Sequence, residues 1–350
     1  CQRLFADITE TKMYLTGGIG AVKKGEAFSF AYDLPNSTAY AETCAAIGLI
    51  NFAHRMLKKD LDGKYSDYIE RALYNGVLSG VSLDGRKFFY DNPLASSGKQ
   101  HRKAWYDCSC CPPNIARLFA SLGSYIYSVR EKELVVHQYI AGVTTLKVSE
   151  TEVRISQSTR YPWGNKIAIS VDSAENISFT LKLRQPGWCG RMQVKVNGKP
   201  AKSNANKGYL SINRFWRKGD KISVIFNMPV KQLYADPRVR QDIGRTALQK
   251  GPVVYCFEEA DNPAGAESLI IKQRNNFEVL HKKNLLGGVD IIKTNGFYLE
   301  SVEKQKQLYG YSAPKLKECV LTAIPYFAWE NRKPGSMAVW VKNTADNNLK

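Results

Sequence analysis

The sequence has no apolar run that approaches the roughly 18 residues of a membrane-spanning helix, so no helical membrane span is expected. Its lysines and arginines form no cluster larger than short pairs such as Lys23-Lys24, although the net charge is +18. No nucleic-acid motif accompanies this charge, so we expect no nucleic-acid partner. An acidic polymer such as a pectic polysaccharide would satisfy the same charge.

The sequence also lacks any internal repeat of fixed period and any low-complexity tract. The glycine-rich stretch Thr16-Gly17-Gly18-Ile19-Gly20 does not have the spacing of the dinucleotide-binding fingerprint, and no strand and helix flank it. We interpret it as a turn that lets the backbone approach a ligand closely. The chain begins at Cys1 without a Met or a signal-like apolar segment, so we expect that it starts within a longer protein.

The composition is that of a globular protein, with 44% hydrophobic and 23% charged residues among 350. That length predicts two or three domains with cores of their own. The eight cysteines are unevenly clustered along the chain. In a chain of this size, uneven clustering indicates metal binding or catalysis more than a disulfide framework.

Helical periodicity is confined to the first third of the chain. The pattern predicts a short helix within residues 1–15, a helix over 39–58 and another over about 65–79. The Asp84-Gly85 dipeptide predicts a hairpin that presents Lys87-Phe88-Phe89-Tyr90. These rings either stack on the apolar face of a sugar or belong to the core.

After about Tyr127 the pattern becomes that of short strands separated by turns such as Asn197-Gly198. This spacing predicts a β-sandwich, followed by a further β-rich stretch from Pro237 to the end. The predicted strands of the sandwich cover 134–139, 152–158, 166–171, 177–184, 192–197, 209–213 and 221–228.

The most unusual stretch is Cys108-Ser109-Cys110-Cys111-Pro112-Pro113-Asn114, with three thiols directly before two prolines. Pro112 disfavours a helical Cys111 and predicts a bend, and Pro113 is suited to the first position of a following helix. Thiols at a helix N-terminus are favoured as thiolates. The alternative is that the three cysteines are small buried core residues.

A second motif, Glu42 and Cys44, lies at the start of the helix predicted over 39–58. Two residues apart in a regular helix, these side chains would diverge, so they share a target only if Glu42 belongs to the preceding turn. Together with the Cys108–Cys111 cluster they provide ligands for zinc or an iron–sulfur centre in preference to calcium or magnesium. The separated CxxC pairs of ordinary zinc modules are missing, and spacing leaves open which two of the three clustered thiols join Cys44.

In combination, several motifs resemble the β-L-arabinofuranosidases of glycoside hydrolase family 127, to which family 146 is closely related. The resemblance covers nearly the whole chain. The motifs that carry it are Thr16-Gly17-Gly18-Ile19-Gly20, Gly25-Glu26-Ala27-Phe28, Tyr32-Asp33-Leu34-Pro35-Asn36, Tyr40-Ala41-Glu42-Thr43-Cys44-Ala45, the stretch from Cys108 to Arg117, Arg184-Gln185-Pro186-Gly187-Trp188, Val196-Asn197-Gly198, and Ile324-Pro325-Tyr326-Phe327-Ala328-Trp329.

The resemblance implies an α + β multidomain fold, in which an (α/α)6 barrel precedes β-sandwich domains. We accordingly expect residues 1–130 to be the C-terminal part of the barrel, 131–235 a β-sandwich, and 236–350 a second β-rich domain. Such a barrel has twelve helices, and only about four are predicted before residue 130. We therefore expect its N-terminal part upstream of Cys1, and we expect the 350-residue chain alone to be poorly soluble and nearly inactive.

The resemblance also implies the site. Glu42, Cys44, Cys110 and Cys111 match the family's zinc ligands, Cys110 its nucleophile and Glu26 its acid/base residue, whereas Cys108 is a neighbour without a direct role. Tyr90 matches a position that touches the sugar. The implied activity is retaining hydrolysis that releases L-arabinose from plant-type glycans or glycopeptides.

Two other interpretations stay open. One is a non-catalytic carbohydrate-binding protein with a structural zinc site, which has no need of Glu26. The other is a zinc-stabilised nucleic-acid binder, whose binding would weaken steeply with salt. The sequence is compatible with a homo-oligomer, and with either a cytoplasmic or an exported location in a bacterium.

Overall fold

The computed structural model describes residues 1–173, 176–273, 275–300 and 309–344, which form a mixed α and β structure. Its helices are α1 (Gln2–Thr11), α2 (Thr43–Lys59), α3 (Gly63–Arg71) and α4 (Cys111–Ala120). A π-helical turn over Ala72–Val77 and a 3₁₀ turn over Leu78–Gly80 continue α3. Within these described ranges, no helix combines the length and the apolar character needed to cross a membrane.

Strands dominate the rest of the described chain. They are β1 (Ala95–Ser96), β2 (Tyr127–Arg130), β3 (Glu133–Val136), β4 (Gly142–Val148), β5 (Thr151–Thr159), β6 (Lys166–Ser173), β7 (Ile177–Arg184), β8 (Met192–Val196), β9 (Lys199–Pro200), β10 (Asn204–Asn206), β11 (Tyr209–Trp216), β12 (Asp220–Phe226), β13 (Val230–Leu233), β14 (Arg245–Lys250), β15 (Val253–Glu258), β16 (Leu269–Lys272), β17 (Glu278–Lys282), β18 (Val289–Leu299), β19 (Leu316–Pro325), β20 (Met337–Ala338) and β21 (Val341–Thr344).

The helices pack through the faces that their apolar spacing predicts. Ile47 and Ile50 of α2 contact a core that also contains Phe5 of α1, Ile69 of α3 and Leu118 of α4. Helix α2 begins at Thr43, four residues after the predicted start, because residue 42 has an extended ψ of 140°. The packing brings the N-terminal ends of α2 and α4 together, which decides where the site lies.

Helix α4 begins at Cys111, so the predicted start at Pro113 is wrong by two residues. The first helical hydrogen bond runs from the Asn114 amide to the Cys110 carbonyl, at 3.2 Å. The N–H groups of a helix's first turn need no intrahelical acceptor, so both prolines fit there without losing a bond. The bend predicted at Cys111 is also wrong, since Cys111 is the first residue of α4 and Cys110 before it has helical φ and ψ.

The turn at Asp84-Gly85 forms, but it joins no regular hairpin strands. Val81 and Phe88 make only an isolated bridge across it. Phe89 is fully buried and stacks on Trp329 with ring centroids 5.0 Å apart, so it belongs to the core and is not free to stack on a sugar. Within the predicted aromatic segment, Tyr90 is the ring whose hydroxyl reaches the candidate site.

Two sheets in the middle of the chain pack on one shared core, as the strand pattern predicts for a β-sandwich. One sheet has the strand order β10-β11-β7-β3-β2, and the other β4-β5-β6-β12-β8-β9. Leu134 and Leu181 from the first sheet share a cluster with Ile155, Ile169 and Val224 from the second. Alternate residues face this core, which is why the period of two predicts the strands.

The sandwich is fixed to the helical region through a buried ion cluster. Arg184, fully buried at the end of β7, pairs with Asp67 and Glu70 of α3. The indole of Trp188 donates to the second oxygen of Glu70 at 3.0 Å. Residues of the motif Arg184-Gln185-Pro186-Gly187-Trp188 therefore connect the sandwich to helix α3.

The last part of the described chain forms a third sheet, in the order β1-β20-β15-β19-β18-β16-β21-β14-β13 with β17 beside β18. An additional pairing of β14 with β15 joins two strands of this series directly. One core cluster of this sheet includes Ala41, Phe89 and Leu94 from the helical region. Since β1 comes from that region and pairs with β20, the C-terminal sheet reaches the segment that follows Tyr90.

Candidate active site

Four potential metal ligands meet where the N-terminal ends of α2 and α4 approach each other. One donor atom from each of Glu42, Cys44, Cys110 and Cys111 lies within 4.8 Å of the other three. The Cys110 sulfur lies 3.3 Å from Glu42 Oε1 and 3.7 Å from the Cys111 sulfur, and the Cys111 sulfur lies 3.5 Å from the same carboxylate oxygen. This group could hold a metal ion, and these four residues are those that the sequence motifs predict.

The backbone before α2 explains how Glu42 and Cys44 face one target. Glu42 is the residue before the helix, with φ −55° and ψ 140°, whereas Cys44 is already helical. Ala41 adopts a left-handed φ of 38°, and its carbonyl accepts a hydrogen bond from the buried Asn92 amide at 3.0 Å. The predicted condition, that Glu42 belongs to the turn and not to the helix, is confirmed.

The donor set fits a divalent cation, because three sulfurs and a carboxylate oxygen converge on one point. Burial raises the pKa of Cys110 to about 12, and a hydrogen bond to Cys44 together with burial raises the pKa of Cys111 far above its ordinary value. The hydrogen bond from Cys111 in turn lowers the pKa of Cys44 to about 7. Two of the three thiols are thus held neutral, and a bound cation would stabilise all three thiolates.

Glu26 faces this group across two tyrosines. The Tyr40 hydroxyl donates to Glu26 Oε1 at 2.8 Å, and the Tyr90 hydroxyl lies 3.3 Å from the same oxygen and 3.1 Å from the Cys110 sulfur. A single phenol thereby connects the predicted acid/base residue with the predicted nucleophile. Hydrogen bonding with Cys110 raises the pKa of Tyr90 and burial raises that of Tyr40, so both phenols stay protonated.

Glu26 lies in a turn with unusual backbone geometry. It has a φ of 50°, in the left-handed region where residues other than glycine are uncommon, and it follows Gly25 at φ 75°. Its side chain is solvent-exposed, so a substrate could reach the carboxylate. Such conformations are found preferentially at functional sites, where the surrounding structure compensates their cost.

Cys108 is adjacent to the site but outside the group of four. Its sulfur is exposed and lies 3.8 Å from the Tyr90 hydroxyl. The question that spacing leaves open, which two of the clustered thiols join Cys44, therefore has a geometric answer. Cys110 and Cys111 join it, because the first turn of α4 directs both toward Glu42.

Sequence reasoning missed two residues that hold the site together. Tyr40 lies two residues before Glu42, yet its hydroxyl donates to Glu26, which lies in a turn 14 residues earlier. Asn92, 1% exposed, donates to the Ala41 carbonyl and the Thr43 hydroxyl, and its own oxygen accepts from Ser79. The signal in the sequence was weak in both cases: Tyr40 lies two residues before the predicted ligand Glu42, and Asn92 lies two residues after the predicted sugar contact Tyr90.

Three family models match consecutive parts of the chain. Residues 1–124 match the β-L-arabinofuranosidase, GH127 catalytic domain, and residues 133–228 match the GH127 middle domain. Residues 230–342 match the glycoside hydrolase family 127 C-terminal domain. Together these matches cover nearly the whole chain.

Individual relatives agree with the family models. The chain is 36% identical over 365 residues to a non-reducing end β-L-arabinofuranosidase of Bifidobacterium longum subsp. longum, covering 97% of this chain and 54% of the relative. A crystal structure of a GH127 β-L-arabinofuranosidase from Geobacillus stearothermophilus T6 matches with a TM-score of 0.94 and 41% identity, covering 98% of this chain and 56% of that chain. A structure described as a GH127 β-arabinofuranosidase matches with a TM-score of 0.91 and 41% identity, covering 97% and 56%. The chain thus spans about half the length of these relatives.

Proposed function

Because the chain belongs to glycoside hydrolase family 127, we propose that it carries the catalytic centre of a retaining β-L-arabinofuranosidase. The observation that supports this most strongly is the link from Glu26 through Tyr90 to Cys110, beside a group of four metal ligands. Retaining glycosidases ordinarily use two carboxyl groups on either side of the scissile bond. We propose that Cys110 and Glu26 take these two roles.

We propose zinc as the metal, held by Glu42, Cys44, Cys110 and Cys111. Three sulfurs and one carboxylate oxygen are a ligand set that zinc favours, and soft thiolates select against calcium and magnesium. When bound, zinc would keep the cysteine sulfurs deprotonated near neutral pH and hold them in place. Bond formation and proton transfer are assigned to Cys110 and Glu26.

Cys110 is the proposed nucleophile. Its sulfur attacks the anomeric carbon and forms a C–S bond while the bond from that carbon to the leaving oxygen breaks. Glu26 gives its proton to the leaving oxygen in this step, and is ionised afterwards. In the second step Glu26 takes a proton from water, the water oxygen attacks the anomeric carbon, and the C–S bond breaks to release the sugar and restore the thiolate.

Tyr90 is the proposed sugar contact at this centre. Its hydroxyl is within hydrogen-bonding distance of both Glu26 and Cys110, so a sugar placed between them would meet the phenol. The phenol stays protonated and is therefore able to donate to a ring or hydroxyl oxygen of the substrate. This places a neutral donor where the reacting atoms would lie.

The proposed substrates are plant-type glycans or glycopeptides that end in β-L-arabinofuranose. We further propose that residues 1–130 form part of an (α/α)6 barrel, whose remaining helices would be supplied by residues outside this chain. The pocket that orients the sugar would then be completed by those helices, and we propose that the 350-residue chain alone has little activity. The boundaries at residues 130 and 235 stay predictions.

The test is release of L-arabinose from a β-L-arabinofuranosyl substrate, with the matching α-L-arabinofuranoside as the control. It should be run with added zinc on the 350-residue chain and on the full product of its gene. We expect the full product to cleave only the β-anomer and to release sugar that first appears as the β-anomer. A full product that binds zinc and sugar but cleaves neither substrate would instead support a carbohydrate-binding protein with a structural metal site.

A further inference from the structure

We propose that Trp329 and Arg102 are positioning residues. They connect the C-terminal sheet to the segment that carries Tyr90, so the C-terminal domain helps to hold the Tyr90 hydroxyl in the active site. The Phe89 ring contacts both Trp329 and Arg102. We call these three residues the Phe89 clamp. The expected effect of the clamp on catalysis rests on the function proposed above. Its effect on the structure of the site does not.

The first support is the environment of Phe89, the residue directly before Tyr90. Its ring is fully buried and stacks on the Trp329 indole, with centroids 5.0 Å apart and planes 24° from parallel. The Arg102 guanidinium lies over the same ring, 4.2 Å from its centroid. A buried ring with a flat contact to an indole and to a guanidinium has little freedom to change its rotamer.

The second support is that Arg102 bonds the helical region and the C-terminal segment to each other. Its guanidinium donates to the Ser79 carbonyl at 2.9 Å and to the Trp329 carbonyl at 2.6 Å. The Arg102 backbone amide donates to Glu330 at 3.1 Å, and the guanidinium pairs with the same carboxylate at 3.4 Å. Arg102 is only 5% exposed, so replacing its side chain would leave the Ser79 and Trp329 carbonyls without these bonds inside the protein.

The third support is the backbone on the other side of Tyr90. The buried Tyr326 hydroxyl donates to the Pro93 carbonyl at 2.9 Å, and the Val339 amide donates to the Leu94 carbonyl at 2.8 Å. The next two residues form β1, the edge strand that pairs with β20. The C-terminal sheet therefore holds the chain both at Phe89 and just after Tyr90.

The clamp leads directly to the ligand-bearing turn. The Thr43 hydroxyl donates to the Phe89 carbonyl at 2.9 Å, and the Thr43 amide donates to the Tyr90 carbonyl at 3.0 Å. Thr43 lies between Glu42 and Cys44, two of the four potential ligands. A shift of Phe89 would thus displace the Tyr90 hydroxyl and loosen the turn that presents Glu42.

The clamp also gives a role to the motif Ile324-Pro325-Tyr326-Phe327-Ala328-Trp329, which the chemistry of the site leaves unexplained. Tyr326 and Trp329 from this motif contact the segment that carries Tyr90, and neither reaches a metal ligand or Glu26 by a hydrogen bond within the described part of the chain. They act through Phe89 and Pro93. This is the pattern of positioning residues, which orient a functional side chain without touching the substrate.

The structural arm of the test compares hydrogen exchange in three variants of the full protein. Trp329→Leu removes the stacked ring, Trp329→Phe keeps an aromatic ring, and Ile271→Ala removes a fully buried side chain from β16 in the core of the same domain. We expect Trp329→Leu to speed exchange of the Thr43 amide. Trp329→Phe should largely preserve protection, and Ile271→Ala should leave this amide unchanged even though it lowers the melting temperature.

The catalytic arm is a double-mutant cycle between Trp329→Leu and Tyr90→Phe, measured as kcat/KM on the arabinofuranosyl substrate. A displacement of about 1 Å in a catalytic site costs on the order of 100-fold, so we expect Trp329→Leu to lower kcat/KM about 10- to 100-fold. In the Tyr90→Phe background the same change should cost at least about threefold less, because the hydroxyl that it would misplace is already gone and only its effect on the turn at Glu42 remains.

Unchanged exchange at Thr43 in Trp329→Leu would overturn the clamp. Equal losses of kcat/KM in both backgrounds would overturn its connection to Tyr90. If Trp329→Leu does not fold, Arg102→Lys carries both arms, since it keeps the charge but not the planar set of donors. If the unaltered protein cleaves no arabinofuranoside, the proposed function fails and the exchange experiment alone decides the clamp.

Discussion

The helical region and the β-sandwich differ in how regular their backbones are at the residues that matter most to each. In the sandwich, strands such as β6 and β12 bury every second residue and keep extended backbone throughout. In the helical region, the candidate site residues lie outside regular elements or at their ends: Glu26 is in a turn, and Glu42 directly precedes α2. The difference indicates that regular packing and chemistry lie in separate parts of the chain. Changes in the helical region should therefore affect activity, and changes in the sandwich should affect stability.

The largest effect should come from the cysteine at the start of α4. We expect Cys110→Ser to lower kcat/KM by more than about 1,000-fold, because an alcohol is a far weaker nucleophile than a thiolate. Steady-state kinetics on the full product of the gene measures this, with zinc content determined in parallel. Cys108→Ser is the matched control, two residues away and outside the ligand group, and should change kcat/KM by less than about threefold. Equal losses in both variants would contradict the assignment of roles.

Replacement of Glu26 should have the next largest effect. We expect Glu26→Gln to lower kcat about 100- to 10,000-fold on substrates with poor leaving groups, since proton transfer contributes about that much. The first step on an activated aryl arabinoside needs no acid and should be much less affected. Pre-steady-state rates on the two substrate classes make the comparison. The same loss of the first-step rate on both classes would exclude Glu26 as the acid.

A third change concerns metal affinity. We expect Cys44→Ser to weaken zinc binding by more than the roughly 10- to 100-fold that is typical of residues that only orient ligands. Competition with a chelating dye measures the affinity without any need for activity. Asn92→Ala, which removes the amide that holds Ala41 and Thr43, is the companion variant and should fall within that smaller range. A Cys44→Ser variant with unaltered zinc affinity would remove Cys44 from the ligand set.

A substitution in the core of the sandwich should lower stability and leave activity nearly unchanged. Ile169 of β6 is 1% exposed in the shared core of the two sheets. We expect Ile169→Ala to lower the free energy of unfolding by about 2 to 5 kcal/mol, through lost burial and a residual cavity. Its kcat/KM should stay within about twofold of the unaltered protein at temperatures where both are folded. Denaturant titration and kinetics at 25 °C test the two parts, and a large loss of activity without unfolding would break the comparison.

The same contrast explains how much the sequence reveals. The period of two in 166–171 and 221–228 predicts the ends of β6 and β12 to within two residues, because burial alternates along each strand. The site is predictable only through its motifs, since periodicity says nothing about the turn at Glu42. The link from Tyr40 to Glu26 and the Phe89 clamp escape prediction because they join residues that are distant in the sequence.

Two predictions at the site fail for a common physical reason. The helix start at Pro113 and the hairpin at Asp84-Gly85 were both inferred from local preferences of proline and glycine. At α4 the Asn114 amide bonds the Cys110 carbonyl, and this bond extends the helix to Cys111 although two prolines follow. At the turn, Phe89 is drawn into the core beside Trp329, and the backbone follows it without forming strands.

The most direct test of the account is to trap the covalent intermediate. The Glu26→Gln variant of the full gene product, loaded with zinc, should react with an activated β-L-arabinofuranoside. It should then release the bound sugar slowly, because it lacks the base for the second step. Mass spectrometry of the digested protein should then find one pentosyl group on Cys110. A pentosyl group on any other residue, or turnover without an adduct that yields sugar of inverted configuration, would contradict the cysteine nucleophile.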